Sequence, residues 1–174
     1  MKKYFYFAIM LVTIALSLTS CGKDEPKEKT TATTIYTMTF SQDLLEAANV
    51  IVYYKAENGR TTFKPLSDPS KDTYWTQTVT SDKFPAEFGV MCDFGTKTDN
   101  ELIKDKYDLT CTLKYTCTTN KGAAYANNYV IIDEKQVAKK NVNSKLTKIK
   151  SNSYGFKITE NGVPTVMDNK LKFD

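Results

Sequence analysis

The stretches FPAEFGVMCDF (84–94) and YDLTCTLKYTCTT (107–119) decide the fold. In the first, Phe84, Ala86, Phe88, Val90, Cys92 and Phe94 alternate with Pro85, Glu87, Gly89, Met91 and Asp93. In the second, Leu109, Cys111, Leu113, Tyr115 and Cys117 alternate with Thr110, Thr112, Lys114, Thr116 and Thr118. Successive side chains of a strand point to opposite faces, so a period of two predicts strands with one face in a core and one in solvent. Threonine suits the solvated face, because its branched Cβ packs well on a pleated surface. Pro85 has no amide hydrogen and fits the start of a strand or a sheet edge.

Outward from these two, the same period continues in both directions. Tyr36, Met38 and Phe40 share a face, as do Val50, Val52 and Tyr54. Glu57-Asn58-Gly59-Arg60 then supplies an Asn-Gly turn that returns the chain through Thr62 and Phe63 as a hairpin. Between the first two strands, Ser41 to Asn49 predicts one or two helical turns with Ser41 as cap, too short for a core helix. Downstream come a turn at Asn120-Lys121-Gly122 and a brief apolar run from Tyr129 to Ile132. Val142, Leu146 and Ile149 recur at helical spacing. The lysines around them, Lys139, Lys140, Lys145, Lys148 and Lys150, read as a solvated helix face rather than a surface for anionic lipid or polymer. Tyr154, Phe156 and Ile158 predict a further strand, Asn161-Gly162 a second hairpin turn, and Val163 to Val166 with Leu171 and Phe173 the closing strands. Many short strands separated by turns predict an all-β antiparallel β-sandwich, immunoglobulin-like or transthyretin-like, with one or two short helices. A calycin-like β-barrel is the alternative.

The amino terminus carries a different signal. Lys2 and Lys3 precede an apolar stretch from Tyr4 to Leu18, shorter than the ~20 residues of a spanning helix, and Leu18-Thr19-Ser20-Cys21 follows. This resembles a bacterial lipoprotein signal with its lipobox. The resemblance implies cleavage before Cys21 and diacylglycerol on its thiol. Lys23-Asp24-Glu25 is similar to the acidic export tag of surface lipoproteins in Bacteroidota, and the opening strand, "DLLEAANV" turn and "VYYKAENG" hairpin resemble their small β-sandwich lipoproteins. These likenesses imply an outer-membrane lipid anchor, with the domain exposed at the surface or facing the periplasm. Residues 22–34 lack any large apolar side chain and predict a flexible tether. The expected organisation is a signal peptide at 1–20, a lipidated Cys21 with its tether to 34, and one domain at 35–174. Loss of the signal takes two lysines and no acid, so the formal charge falls from +4 to +2. That near-neutral balance argues against nucleic acid as a partner.

The sequence contains no histidine, which excludes Ser-His-Asp, Cys-His and His-ligated zinc chemistry. It carries no GxSxG, Ser-x-x-Lys, phosphate-cradling loop or dinucleotide fingerprint, and Asp93-Phe94-Gly95 spells a kinase triplet without any other kinase part. Asp99, Glu101, Asp105 and Asp108 form the densest acidic cluster, but Lys97, Lys104 and Lys106 interrupt it, as in a solvated connection. No EF-hand ladder and no CxxC spacing is present, so neither metal nor cofactor is expected.

Export leaves three thiols, Cys92, Cys111 and Cys117. The last two are six residues apart on one strand, hence ~20 Å, beyond the ~7 Å limit between bridged alpha carbons. A disulfide of Cys92 with Cys111 or with Cys117 remains open, against the reading that all three are small core hydrophobes. Trp75 and Tyr74 are the candidate binding residues, as a flat platform for glycan with Tyr53 or Tyr125; alternation with Val79 places Trp75 instead in the core. The expectation is a non-enzymatic, lipid-anchored binding or accessory module for a glycan or an envelope protein. The alternatives are a carboxylate-dependent glycan hydrolase and a structural subunit of a surface complex.

Overall fold

The computed structural model describes residues 28–173. Cys21, the signal stretch and residues 22–27 lie outside the described residues. One antiparallel sheet consists of β1 (Ala32–Phe40), β4 (Tyr74–Ser81), β6 (Lys106–Thr119) and β7 (Ala124–Ala138), in the order β4-β1-β6-β7. The second contains β2 (Ala48–Lys55), β3 (Thr61–Leu66), β5 (Ala86–Thr96), β8 (Ser153–Ile158) and β9 (Pro164–Val166), in the order β3-β2-β5-β8-β9. The sheets pack face to face as a β-sandwich. Neither closes on itself, which sets aside the barrel alternative.

The alternation in the sequence is the architecture of the core. Tyr36, Met38, Leu109, Cys111, Leu113 and Tyr115 of the first sheet are buried against Val50, Val52, Phe88, Val90, Phe94 and Phe156 of the second. A fully buried side chain of this size contributes ~1.5–3 kcal/mol relative to leaving it in water. The opposite face of the first sheet is a threonine lattice: Thr37 of β1 pairs across to Thr76 and Lys114, and Thr39 pairs to Thr112.

Several local expectations change. The short helix α1 (Gln42–Ala47) starts at Ser41, whose Oγ accepts the Leu44 amide at 3.2 Å. It is a core element despite its length, since Leu44, Leu45 and Ala47 are buried under the end of the sandwich. The first strand also begins before residue 35. β1 opens at Ala32, and Thr30 and Thr31 are already held, by Glu160 at 2.9 Å and Asn120 at 3.0 Å. Small threonines complete a ladder without bulky apolar groups, so tether composition did not preclude a strand. Pro85 immediately precedes β5, which lies between β2 and β8, so the strand-start reading holds and the edge reading does not.

β7 spans 15 residues, far beyond the run Tyr129 to Ile132. It is an edge strand, so its polar residues Asn128 and Asp133 meet solvent while its backbone still pairs with β6. Asp108 Oδ1 accepts the Gln136 amide at 2.8 Å where the β6–β7 pairing shifts register and Gln136 takes φ 52°. The amphipathic helix α2 (Val142–Ile149) buries Val142 and Leu146 and points Lys145 at Glu134, 2.7 Å away. At the carboxyl end, β9 stops at Val166, and Leu171 and Phe173 belong to no strand.

Candidate functional site: a cationic cleft where the second sheet parts

The β2–β5 ladder runs from Ala48↔Thr96 to Tyr54↔Val90 and stops there. One further step would pair Lys55 with Gly89. Instead, Tyr36 reaches across the core from β1 and inserts its hydroxyl between the two strands. The oxygen accepts the Gly89 N–H at 3.0 Å and donates to the Lys55 carbonyl at 3.0 Å. Burial pushes this phenol well above its ordinary value, against a smaller opposing effect of the Gly89 N–H, so it stays protonated and able to serve both strands. Beyond this wedge β2 leaves β5, and the turn Glu57–Gly59 carries the chain back into β3. Asn58 and Gly59 both adopt positive φ, 56° and 79°, which explains the Asn-Gly pair.

The tail after β9 forms the opposite wall. It stays beside β8 through the Met167 amide on the Gly155 carbonyl at 2.8 Å and the Asn169 amide on the Ser153 carbonyl at 2.8 Å. Asp168 Oδ1 accepts the Gly155 amide at 2.9 Å. Leu171 then folds onto the outer face of the sheet, over Gly89 and Gly155, which face each other across β5 and β8. A Cβ at either glycine would strike Leu171 Cδ1, so the notch requires both to be glycine.

Between tail and hairpin lies a cleft of about 530 Å³, lined by Lys55, Arg60, Thr61, Glu87, Lys170 and Lys172 among others. Lys55 is only 8% exposed. Its Nζ donates to Thr61 Oγ1 at 3.2 Å and sits 5.2 Å from the centroid of the Phe173 ring. Glu87, the one acid of the lining, is paired with Lys157 at 3.0 Å. Among the described residues, Lys55, Arg60, Lys170 and Lys172 take part in no salt bridge. Four cations therefore line one cleft without a salt-bridge partner among the described residues, beside a single acid that is itself paired with Lys157, and one of the four is withdrawn from water. A buried charge is costly unless it is paired, so such a cleft favours an anion.

The residues singled out from the sequence are distributed elsewhere. Trp75 is buried in the core, its ring stacked on Tyr36 with centroids 6.3 Å apart and packed against Tyr54 at 5.3 Å. Tyr74 is exposed on the opposite face of β4, across from Thr39, so the two aromatics share no surface. Cys92, Cys111 and Cys117 are buried free thiols. Burial, and then the neighbouring Cys92, pushes the Cys111 thiol up, and burial does the same for Cys117; neither is a ready nucleophile. Of the acidic cluster, Glu101 accepts the Thr98 amide and hydroxyl, both at 2.7 Å, which hold its carboxyl below the usual range. Asp108 serves the β6–β7 irregularity described above. Glu101 and Asp108 thus do local structural work in separate places.

The cleft itself was missed, because its walls come from residues 55–61 and 170–172. One signal was present: Arg60 is the single arginine among 24 basic residues. Among the described residues no helix is long and apolar enough to cross a membrane, and no group of three metal-ligating side chains gathers. No protein-family model, curated protein or solved structure matches this chain.

Proposed function

We propose that the chain is a lipid-anchored, extracytoplasmic binding module of the cell envelope, with the cationic cleft as its recognition site. The observation that carries the binding role is Lys55: an ammonium withdrawn into the sheet face, held by a hydroxyl and an aromatic ring, and open toward a cleft with three further cations. That arrangement offers charge and shape to an anion without a nucleophile poised beside it. The anchor rests on Leu18-Thr19-Ser20-Cys21. Two acyl chains exceed the marginal grip of one, at ~0.8 kcal/mol per buried methylene. Ten residues separate Cys21 from Ala32, and the eleven steps between the two reach no more than ~40 Å at full extension. Replacing Cys21 by serine and fractionating the cells tests the anchor. The protein should move from the membrane pellet to the soluble fraction, and retention in the pellet would refute it.

A further inference from the structure

Resting on that reading, we propose that the cleft binds an acidic glycan, taking a carboxylate or sulfate group of the polymer while the adjoining sugar packs on Tyr53 and Phe63. The cleft and the aromatic pair belong to one face of the second sheet. Lys55 pairs with Thr61 across the β2–β3 ladder, and Tyr53, two positions along, pairs with Phe63. Two strand positions separate them by ~7 Å. Phe63 is 65% exposed, and its ring centroid lies 6.1 Å from that of Tyr53. A large apolar ring that stands in water beside a cluster of cations with no salt-bridge partner among the described residues fits a ligand with both a C–H-rich face and an acid group. A uronic or sulfated sugar chain has both.

Arg60 supplies the geometry. Its planar guanidinium can present two parallel N–H donors to a carboxylate or sulfate, which the 23 lysines of the chain cannot. Lys55 lies at the sheet end of the cleft, where its Thr61 partner and the Phe173 ring fix the ammonium before any ligand arrives. Lys170 and Lys172 at the mouth are exposed and add long-range attraction that salt will screen. Nucleic acid is disfavoured because Lys55, Arg60, Lys170 and Lys172 line one cleft rather than a track along the protein, and Glu87 in the same lining is paired with Lys157.

The test uses the full-length protein in detergent and titration calorimetry with three oligosaccharides of equal length: an oligogalacturonate, a chondroitin sulfate fragment and a neutral malto-oligosaccharide. One or both acidic chains should bind, and the neutral chain at least tenfold more weakly; the pair of acidic probes separates carboxylate from sulfate recognition. Arg60→Gln, an exposed change that spares the fold, should weaken binding at least tenfold, with Arg60→Lys restoring only part. Phe63→Ala should weaken the oligosaccharide while leaving the weaker binding of free galacturonate or sulfate unchanged. Equal binding of the neutral chain, or an Arg60→Gln variant as tight as wild type, would overturn the proposal. So would an equal loss in a Lys139→Gln, Lys140→Gln control, which removes charge far from the cleft. Failure here leaves the anchor standing, since fractionation of the Cys21→Ser protein reads that independently.

Discussion

Tyr36→Phe removes one oxygen atom and tests whether that atom holds the second sheet open. In the wild-type protein the hydroxyl satisfies two buried backbone groups, the Gly89 N–H and the Lys55 carbonyl, at 3.0 Å each. A net hydrogen bond is worth ~0.5–1.5 kcal/mol, and a buried group left without a partner costs ~1–3 kcal/mol. Two such groups predict a loss of ~2–4 kcal/mol. For a domain of this size each kcal/mol shifts Tm by ~2–4 °C, so the expected fall is ~5–15 °C. Urea titration followed by circular dichroism gives the free energy, and a thermal scan gives Tm. Tyr53→Phe is the control, because that hydroxyl makes no hydrogen bond among the described residues, and its effect should stay within ~0.5 kcal/mol. A Tyr36→Phe cost below ~1 kcal/mol would mean that β2 and β5 simply close and pair directly. The hydroxyl would then not be what parts the strands, and the account of how the cleft forms would fail.

The glycine notch makes a second prediction. An Ala Cβ at 155 would meet the Phe88 carbonyl and Gly89 Cα as well as Leu171, so Gly155→Ala should destabilise by ~1–3 kcal/mol. Because the carbonyl belongs to the backbone, adding Leu171→Ala should not rescue it, and full rescue in urea titration would show that the side chain alone set the constraint. A third concerns acid. Burial alone would raise the Asp43 carboxyl, but the Lys104 ammonium at 2.7 Å and the Asp108 amide at 2.8 Å outweigh it and hold the carboxyl below its ordinary value. A depressed folded-state value contributes stability that is present above the unfolded value of ~3.9 and is lost as pH falls through the folded one. Asp43→Asn should therefore lower stability at pH 7 and flatten its decline below pH ~4, and an unchanged acid limb would exclude Asp43 as a contributor.

What the sequence made legible was whatever is written in consecutive residues. β5 and β6 alternate apolar and polar side chains almost without a break, because each packs one face on the other sheet. The Ser41 cap, the Asn58-Gly59 turn and the Val142–Ile149 helix are likewise local patterns with local causes. β7 was legible only in its middle, since an edge strand gets its pairing from β6 and its polar ends need no apolar signature. Leu171 and Phe173 looked like strand residues, yet Leu171 is seated over Gly89 and Gly155, more than sixty positions apart in the chain, and Phe173 lies against Lys55. Trp75 went to the core, as its spacing from Val79 indicated, and the exposed aromatic neighbours are Tyr53 and Phe63, which pairing rather than sequence brings together. The cleft was illegible for the same reason, as its cations meet only after the tail has crossed the sheet.

That crossing has a practical consequence for anyone purifying the protein. An affinity handle fused behind residue 174 would emerge next to Lys170 and Lys172, and an aspartate-rich epitope would occupy the very pocket under assay. The exposed bend at Thr98–Glu101 follows the far end of β5, about 30 Å of strand away from Glu87. A label inserted there leaves both the lipobox and the mouth of the cleft untouched.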